Sequence, residues 1–213
     1  MTIEKKQWEI LVDRYLSLKE LFIECEETDP ALNSNLQLMN EYRHALDHLI
    51  RVVAIEKLGS IDHDINPQFD KLLSHIRRAF FDVCDMLAMN YRNKIVDVLN
   101  PFDSNIILTA IDNYYSEIRP FIGKMDLRIA EYRLQKGKEG IEEALVAAYK
   151  DDVLKLKDFY VYILERLQIL EELQFKENAK KASEKKANIT GIVIGVIVAV
   201  VGIIVGVLVA IYI

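Results

Sequence analysis

Apolar residues recur every three or four positions up to about residue 173, and no run of strict alternation indicates a β-strand. This spacing places them on one side of an α-helix, which has about 3.6 residues per turn. The first predicted helix covers residues 3–26, and its apolar side carries Leu11, Tyr15, Leu18 and Phe22. The pattern therefore predicts an all-α fold built as a helical bundle.

Glycine, proline and capping residues divide this periodic region into about five long helices. The predicted helices after the first cover residues 31–58, 67–99, about 104–136, and a last stretch that begins near 141. Gly59 is expected to end the second helix, and Asn66 to cap the third with Pro67 at its first helical position. Pro120 lies inside the fourth pattern and should kink that helix or split it in two.

The last 23 residues, 191–213, have a different pattern, because they contain no charge and only Tyr212 departs from Ile, Val, Leu, Ala and Gly. A helix of this length is about 34 Å long, against about 30 Å for the hydrocarbon core of a bilayer. No turn residue interrupts the run. It therefore predicts one transmembrane helix.

The polar, Ala- and Lys-rich residues before the span contain no helix breaker. We therefore expect the last helix, which begins near residue 141, to run for about 45 residues and to lead into the span almost continuously, like a stalk. The predicted organisation is a cytosolic helical bundle at 1–140, a long helix with a basic stalk at 141–188, and a transmembrane helix at 189–213.

Four of the eight glycines lie in the span, at Gly191, Gly195, Gly202 and Gly206. At about 100° per residue they fall within an arc of about 60°, so two G-x-x-x-G units form one smooth face. In lipid, such faces let helix backbones approach closely and associate. The spacing predicts a homo-oligomer held through the span, and a chance grouping of small residues is the alternative.

Charge predicts the orientation of the span. Residues 175–188 carry five lysines against two glutamates, a net +3, so the total of −6 leaves −9 on the residues before them. A basic flank belongs on the cytoplasmic side, where it contacts anionic lipid headgroups. The lysines expected at the membrane surface include Lys180, Lys181, Lys185 and Lys186. Because the first residues lack an apolar signal sequence, we expect a single-pass protein of the cell (inner) membrane with its N-terminal domain in the cytoplasm.

Composition and missing motifs exclude several functional classes. Two cysteines, Cys25 and Cys84, cannot form a disulfide scaffold or a cysteine-based zinc site, and they suggest a reducing compartment. The acidic net charge argues against a general nucleic-acid coat. The chain has no Walker loop, G-x-S-x-G, H-E-x-x-H or EF-hand sequence, so enzymes of those kinds are excluded and no cofactor is expected.

The densest polar cluster on a predicted helix runs from Glu41 to His48, and it has three interpretations. Glu41 and His44 form a single E-x-x-H unit, whereas a di-iron bundle needs two. Arg43 and His48 form an R-x4-H sequence that resembles the motif of HEPN ribonucleases, in which they would stabilise phosphate charge and act as acid or base, beside His44. The third interpretation is structural, with Arg43 and Asp47 paired one turn apart.

A second basic group lies on the third predicted helix, where Arg77 and Arg78 are followed by Arg92 and Lys94. Guanidinium groups match the geometry of phosphate oxygens, so these four residues are the predicted binding site for a nucleotide or oligonucleotide. Ordinary surface ion pairs are the alternative.

The whole layout of bundle, stalk and glycine-striped span resembles the small membrane effectors of prokaryotic antiviral systems, and is similar in plan to the effector of Hailong-type systems. That resemblance implies an oligomeric channel whose soluble bundle binds a nucleotide or oligonucleotide, and whose opening depolarises the membrane. The alternatives are a membrane-tethered ribonuclease acting through Arg43 and His48, and a tail-anchored adaptor without enzymatic activity.

Overall fold

The computed structural model describes residues 2–29, 36–59, 64–136 and 143–212, and within these ranges the chain is helical with no β-strand. The prediction of an all-α fold is confirmed. The helices are α1 (Lys5–Thr28), α2 (Leu36–Leu58), α3 (Ile65–Leu99), α4 (Ser104–Ala110), a π-helical turn (Tyr114–Ile118), α5 (Arg119–Gln135), α6 (Glu143–Glu165) and α7 (Leu167–Tyr212).

The boundaries around the second and third helices follow local capping chemistry. Gly59, directly after α2, has a φ of 60°, the left-handed conformation that glycine adopts without a Cβ penalty. The predicted cap of α3 is wrong by two residues, because the Asp64 side chain accepts from the backbone N–H of Asn66 at 3.1 Å. Pro67 is therefore the third residue of α3 rather than the first, still within the first turn, where the missing N–H has no intrahelical partner to lose.

The predicted fourth helix is split, but the break lies at residues 111–113, before Pro120 rather than at it. α4 ends at Ala110, and the chain re-enters helical structure through the π turn immediately before α5. In that turn Arg119 N–H donates to the Tyr114 carbonyl five residues earlier. Because a proline ring clashes with the carbonyl four residues before it, a wider turn just upstream accommodates Pro120 at the start of α5.

The chain forms two compact units. The bundle unit contains residues Met1–Pro101 and Asp112–Glu165, and the α7 unit contains Phe102–Ile111 and Arg166–Ile213. α3 is the central helix of the bundle unit and packs against α1, α2, α5 and α6. The largest fully buried side chains of this unit include Phe69, Phe81, Leu87, Ile95, Tyr149 and Leu156. In the α7 unit, α4 packs against α7.

The last predicted helix is divided at Arg166, which lies in a turn between α6 and α7. α6 belongs to the bundle unit and buries Val153 and Ile163 there. No glycine or proline marks the break, so the residue pattern did not predict it. The prediction that the lysine-rich residues continue into the apolar segment without a break is confirmed, because α7 runs for 46 residues without interruption.

Two aspartates on α3 are buried in an otherwise apolar stretch of the bundle unit. Asp85 accepts a hydrogen bond from the Tyr149 hydroxyl, and Arg133 Nε donates to its other oxygen at 2.7 Å. Asp82 pairs with Lys136. Burial raises the pKa of Asp82, and contact with Lys136 opposes that rise. These contacts join α5 and α6 to the central helix through charges that burial alone would disfavour.

Candidate functional site

One helix in the described part of the chain, α7, is long and apolar enough to cross a membrane. Within Leu167–Ile203 an 18-residue window reaches a mean hydropathy of 2.1, and none of that window is buried. At about 1.5 Å per residue, the 46 residues of α7 span about 69 Å, which exceeds the thickness of a bilayer. A continuous exposed apolar surface of this kind marks a membrane or partner-binding segment.

The four predicted glycines all lie within α7, so their angular spacing holds on one uninterrupted helix. A Cβ atom built at Gly191, Gly195, Gly202 or Gly206 would meet nothing within 4 Å. None of these glycines has a φ in the left-handed region either. The packing and backbone of a single copy therefore do not require glycine at these positions.

The four predicted membrane-surface lysines are exposed on α7, before the glycine face begins. Lys181 Nζ lies 2.9 Å from Asp103 Oδ2, at the start of α4, and 3.9 Å from Glu177. The hydrogen bond to Asp103 raises the pKa of Lys181. Lys180, together with Lys181, lines the groove between α4 and α7, whereas Lys185 and Lys186 follow closer to the apolar segment.

In the bundle unit, three imidazoles from α2 and α3 meet in a group that we call the histidine cluster: His44, His48 and His75. The ring centres of His44 and His75 are 5.1 Å apart, and those of His48 and His75 are 5.3 Å apart and stacked. His75 Nδ1 lies 2.7 Å from Glu41 Oε2, and His48 Nδ1 lies 2.8 Å from Gln68 Oε1. The cluster thus contains two of the residues that the sequence suggested, and adds His75 from another helix.

The electrostatics of the cluster favour a neutral His75. Burial lowers the pKa of His75, Glu41 opposes this, and the nearby charge of Arg78 lowers it further. Arg78 Nη2 lies 2.8 Å from His75 Nδ1 and 3.3 Å from His75 Nε2, so the Arg78 guanidinium and the Glu41 carboxylate both lie beside the Nδ1 side of the ring. Arg78 Nε is also 3.2 Å from Glu41 Oε2, so that carboxylate joins both residues.

The contacts of Arg43 and His48 bear on the ribonuclease interpretation, in which these two side chains would act together. Arg43 Nη2 lies 3.2 Å from His44 Nε2, whereas His48 points to Gln68 on α3. One chain therefore places Arg43 and His48 beside different neighbours. Within the described ranges, no group of three His, Cys, Asp or Glu side chains is placed to hold a metal ion.

The histidine cluster predicts a pH dependence of stability. Because burial holds the pKa of His75 below its ordinary value of 6.5, the unfolded chain takes up a proton at higher pH than the folded chain. The stability contributed by neutral His75 is complete above pH 6.5 and is lost as pH falls through the folded-state pKa. We expect the free energy of unfolding to decrease from pH 7 to about pH 5, and the decrease to be smaller in His75→Gln.

Chemical denaturation of the full chain in detergent, monitored by the fluorescence of Trp8, measures this effect in the bundle unit. Trp8 reports on that unit because it packs edge-on against Phe69, with ring centres 5.4 Å apart. His44→Gln removes an exposed imidazole from the same cluster and is the matched control. An unchanged pH dependence in His75→Gln, or an equal flattening in His44→Gln, contradicts the assignment.

The four predicted phosphate-binding residues do not form one patch. Arg78 contacts Glu41, Arg92 pairs with Asp126, and Lys94 Nζ lies 5.7 Å from the centre of the Tyr160 ring. Fourteen residues separate Arg78 from Arg92 on the continuous helix α3, which corresponds to about 21 Å. The structure therefore separates Arg77 and Arg78 from Arg92 and Lys94.

Arg77 lines a cavity of the bundle unit, and Arg78, Arg92 and Lys94 are not part of that lining. This cavity has a volume of about 340 Å³, and its other lining residues are Asp13, Arg14, Ser17, Ile76, Phe80, Val146, Ala147 and Lys150. Arg14 and Lys150 are more than 130 positions apart in the sequence, so no local spacing could have joined them. Sequence reasoning missed both residues for that reason.

Comparison with known proteins finds no match: no family model, no curated protein and no solved structure matches this chain. The function is therefore inferred from the residues and contacts described above.

Proposed function

We propose that this protein is an oligomeric, single-span membrane effector that conducts ions under the control of its helical bundle. The observation that carries the proposal is α7, a single helix that joins a charged, exposed stalk to an uncharged apolar segment whose described side chains are exposed, with an open glycine face. The glycine face is the surface on which copies associate. The lysine-rich stalk lies on the cytoplasmic side, next to anionic headgroups.

An ion pathway formed by α7 has an apolar wall. The span contains no charged, His, Asn or Gln side chain, so it lacks the groups that proton relays and transporter sites use. A pore lined by glycine and aliphatic side chains would be closed by dewetting and opened by a small change in radius. In the antiviral setting that the resemblance implies, opening would depolarise the membrane and stop the infection.

The direct test is ion leak from liposomes that contain the purified full chain. Wild-type protein is expected to dissipate an imposed membrane potential, under a trigger if it is closed at rest. A variant in which residues 191–213 are replaced by an unrelated single-span helix anchors the same bundle and is expected to lose the leak. If this variant keeps the function of the protein in the cell, the result supports the tail-anchored adaptor. A wild-type chain that never changes the membrane potential contradicts the channel.

The same purified protein distinguishes the channel from the ribonuclease alternative. It predicts RNA cleavage that disappears in His48→Ala and persists in Gly202→Leu. The channel predicts that His48→Ala leaks like the wild type, because the histidine cluster lies in the bundle unit and the conducting surface is on α7.

A further inference from the structure

The cavity between α1, α3 and α6 of the bundle unit has the size and lining of a small-ligand site. Its volume of about 340 Å³ lies within the range of small-molecule pockets. One part of the wall is apolar, formed by Ile76, Phe80, Val146 and Ala147. An aromatic or aliphatic part of a ligand could pack there, while the rest of the wall is charged.

The charged part of the wall carries an excess of positive charge. Three helices contribute one cation each, Arg14, Arg77 and Lys150, and the lining contains a single carboxylate, Asp13. The cavity is thus +2 within a chain whose net charge is −6. Lys150 Nζ donates to Ser17 Oγ at 3.0 Å, a neutral acceptor that does not compensate its charge.

The guanidinium groups of Arg14 and Arg77 repel each other in the folded chain. Burial lowers the pKa of Arg14, and the charge of Arg77 lowers it further. Both side chains are only half-exposed, so water screens this repulsion incompletely. An anion between them would relieve the repulsion, and phosphate oxygens match the donor geometry of arginine.

We propose that this cavity binds a phosphorylated small molecule of about mononucleotide size, with its phosphate held by Arg14, Arg77 and Lys150. Its organic part packs against Phe80 and the neighbouring aliphatic side chains. The role of this molecule as the trigger rests on the proposed channel function, whereas the binding itself does not. Because the cations come from three helices, the bound phosphate draws α1, α3 and α6 together.

Calorimetry on the full chain in detergent tests the site with three probes: ADP, inorganic pyrophosphate and adenosine. We expect ADP to bind, pyrophosphate to bind more weakly, and adenosine to bind at least about 100-fold more weakly than ADP, because charge-assisted contacts supply much of the affinity. Arg14→Gln and Lys150→Gln should each weaken ADP binding about 10-fold or more. Added salt should weaken ADP binding and leave adenosine unchanged.

The matched control is Lys71→Gln, which removes an exposed cation from α3 outside the cavity lining and should bind ADP like the wild type. Far-UV circular dichroism checks that each variant folds. If Arg14→Gln does not fold, the binding measured with Lys150→Gln decides the test. The proposal is overturned if adenosine binds as tightly as ADP, if Lys71→Gln loses as much affinity as Lys150→Gln, or if neither phosphate probe binds at about 1 mM.

Ion leak measured on the same protein samples distinguishes a failure of the channel proposal from a failure of the phosphate-site proposal. Binding of ADP without any leak contradicts the channel and leaves the phosphate site standing. Leak without binding of either phosphate probe contradicts the phosphate site and leaves the channel standing.

Discussion

Gly202→Leu is expected to abolish both the self-association of the full chain in detergent and its ion leak in liposomes. A leucine side chain on the glycine face holds two backbones apart at the point where they would touch, and close approach is what drives association there. We expect the association constant to fall at least about 10-fold, or about 1.4 kcal/mol. A mass measurement in detergent at graded protein concentrations follows this loss.

The matched control is Val200→Leu. With Gly191 taken as 0°, Gly202 lies at about 20° and Val200 at about 180° around the helix, so the control enlarges the opposite side. A Cβ at Gly202 meets nothing within 4 Å, so a single copy has room for the added carbon, and a loss of assembly would report on contact between copies. If Gly202→Leu assembles and leaks like Val200→Leu, the glycine face is not the interface.

Asp85→Ala is expected to lower the free energy of unfolding of the bundle unit by about 3 kcal/mol. Asp85 is buried and accepts from the Tyr149 hydroxyl and from Arg133 Nε. Removing the carboxylate leaves a fully buried tyrosine hydroxyl without its acceptor, and it opens a small cavity beside the central helix. Urea denaturation in detergent, followed by Trp8 fluorescence, measures the change.

Two further variants show whether the buried contacts cause this loss. Asp97→Ala removes an exposed carboxylate from the same helix and should change stability by no more than about 0.5 kcal/mol. Asp85→Asn keeps an oxygen that can accept from Tyr149, so it should cost less than the alanine variant. An Asp85→Ala variant as stable as Asp97→Ala contradicts the role assigned to this contact.

Much of the fold was predictable because helix formation and helix ends depend on neighbouring residues. The 3.6-residue period located α1 to α3, and Gly59 ended α2; the fourth predicted helix is also divided, but at residues 111–113 and not at Pro120. The errors arose where two local signals compete or where none exists. Asp64 rather than Asn66 caps α3, and the break at Arg166 has no glycine or proline to mark it.

The candidate site was predictable only in part. Pattern alone located the apolar segment and the glycine face of α7, and the structure shows both on one helix. The basic residues of α3 were selected by type, yet only Arg77 lines the cavity, and its cationic partners come from α1 and α6. The acids Asp82 and Asp85 interrupt an apolar run, a local signal from which a buried polar contact could have been expected.

The sequence by itself determined the helical class, the apolar segment and the angular position of its glycines, since each depends on residues a few positions apart. Only the tertiary structure decided the histidine cluster, the contacts of Asp85 and the cavity of Arg14, Arg77 and Lys150. Those features depend on which helices pack against α3, and packing joins residues that are far apart along the chain.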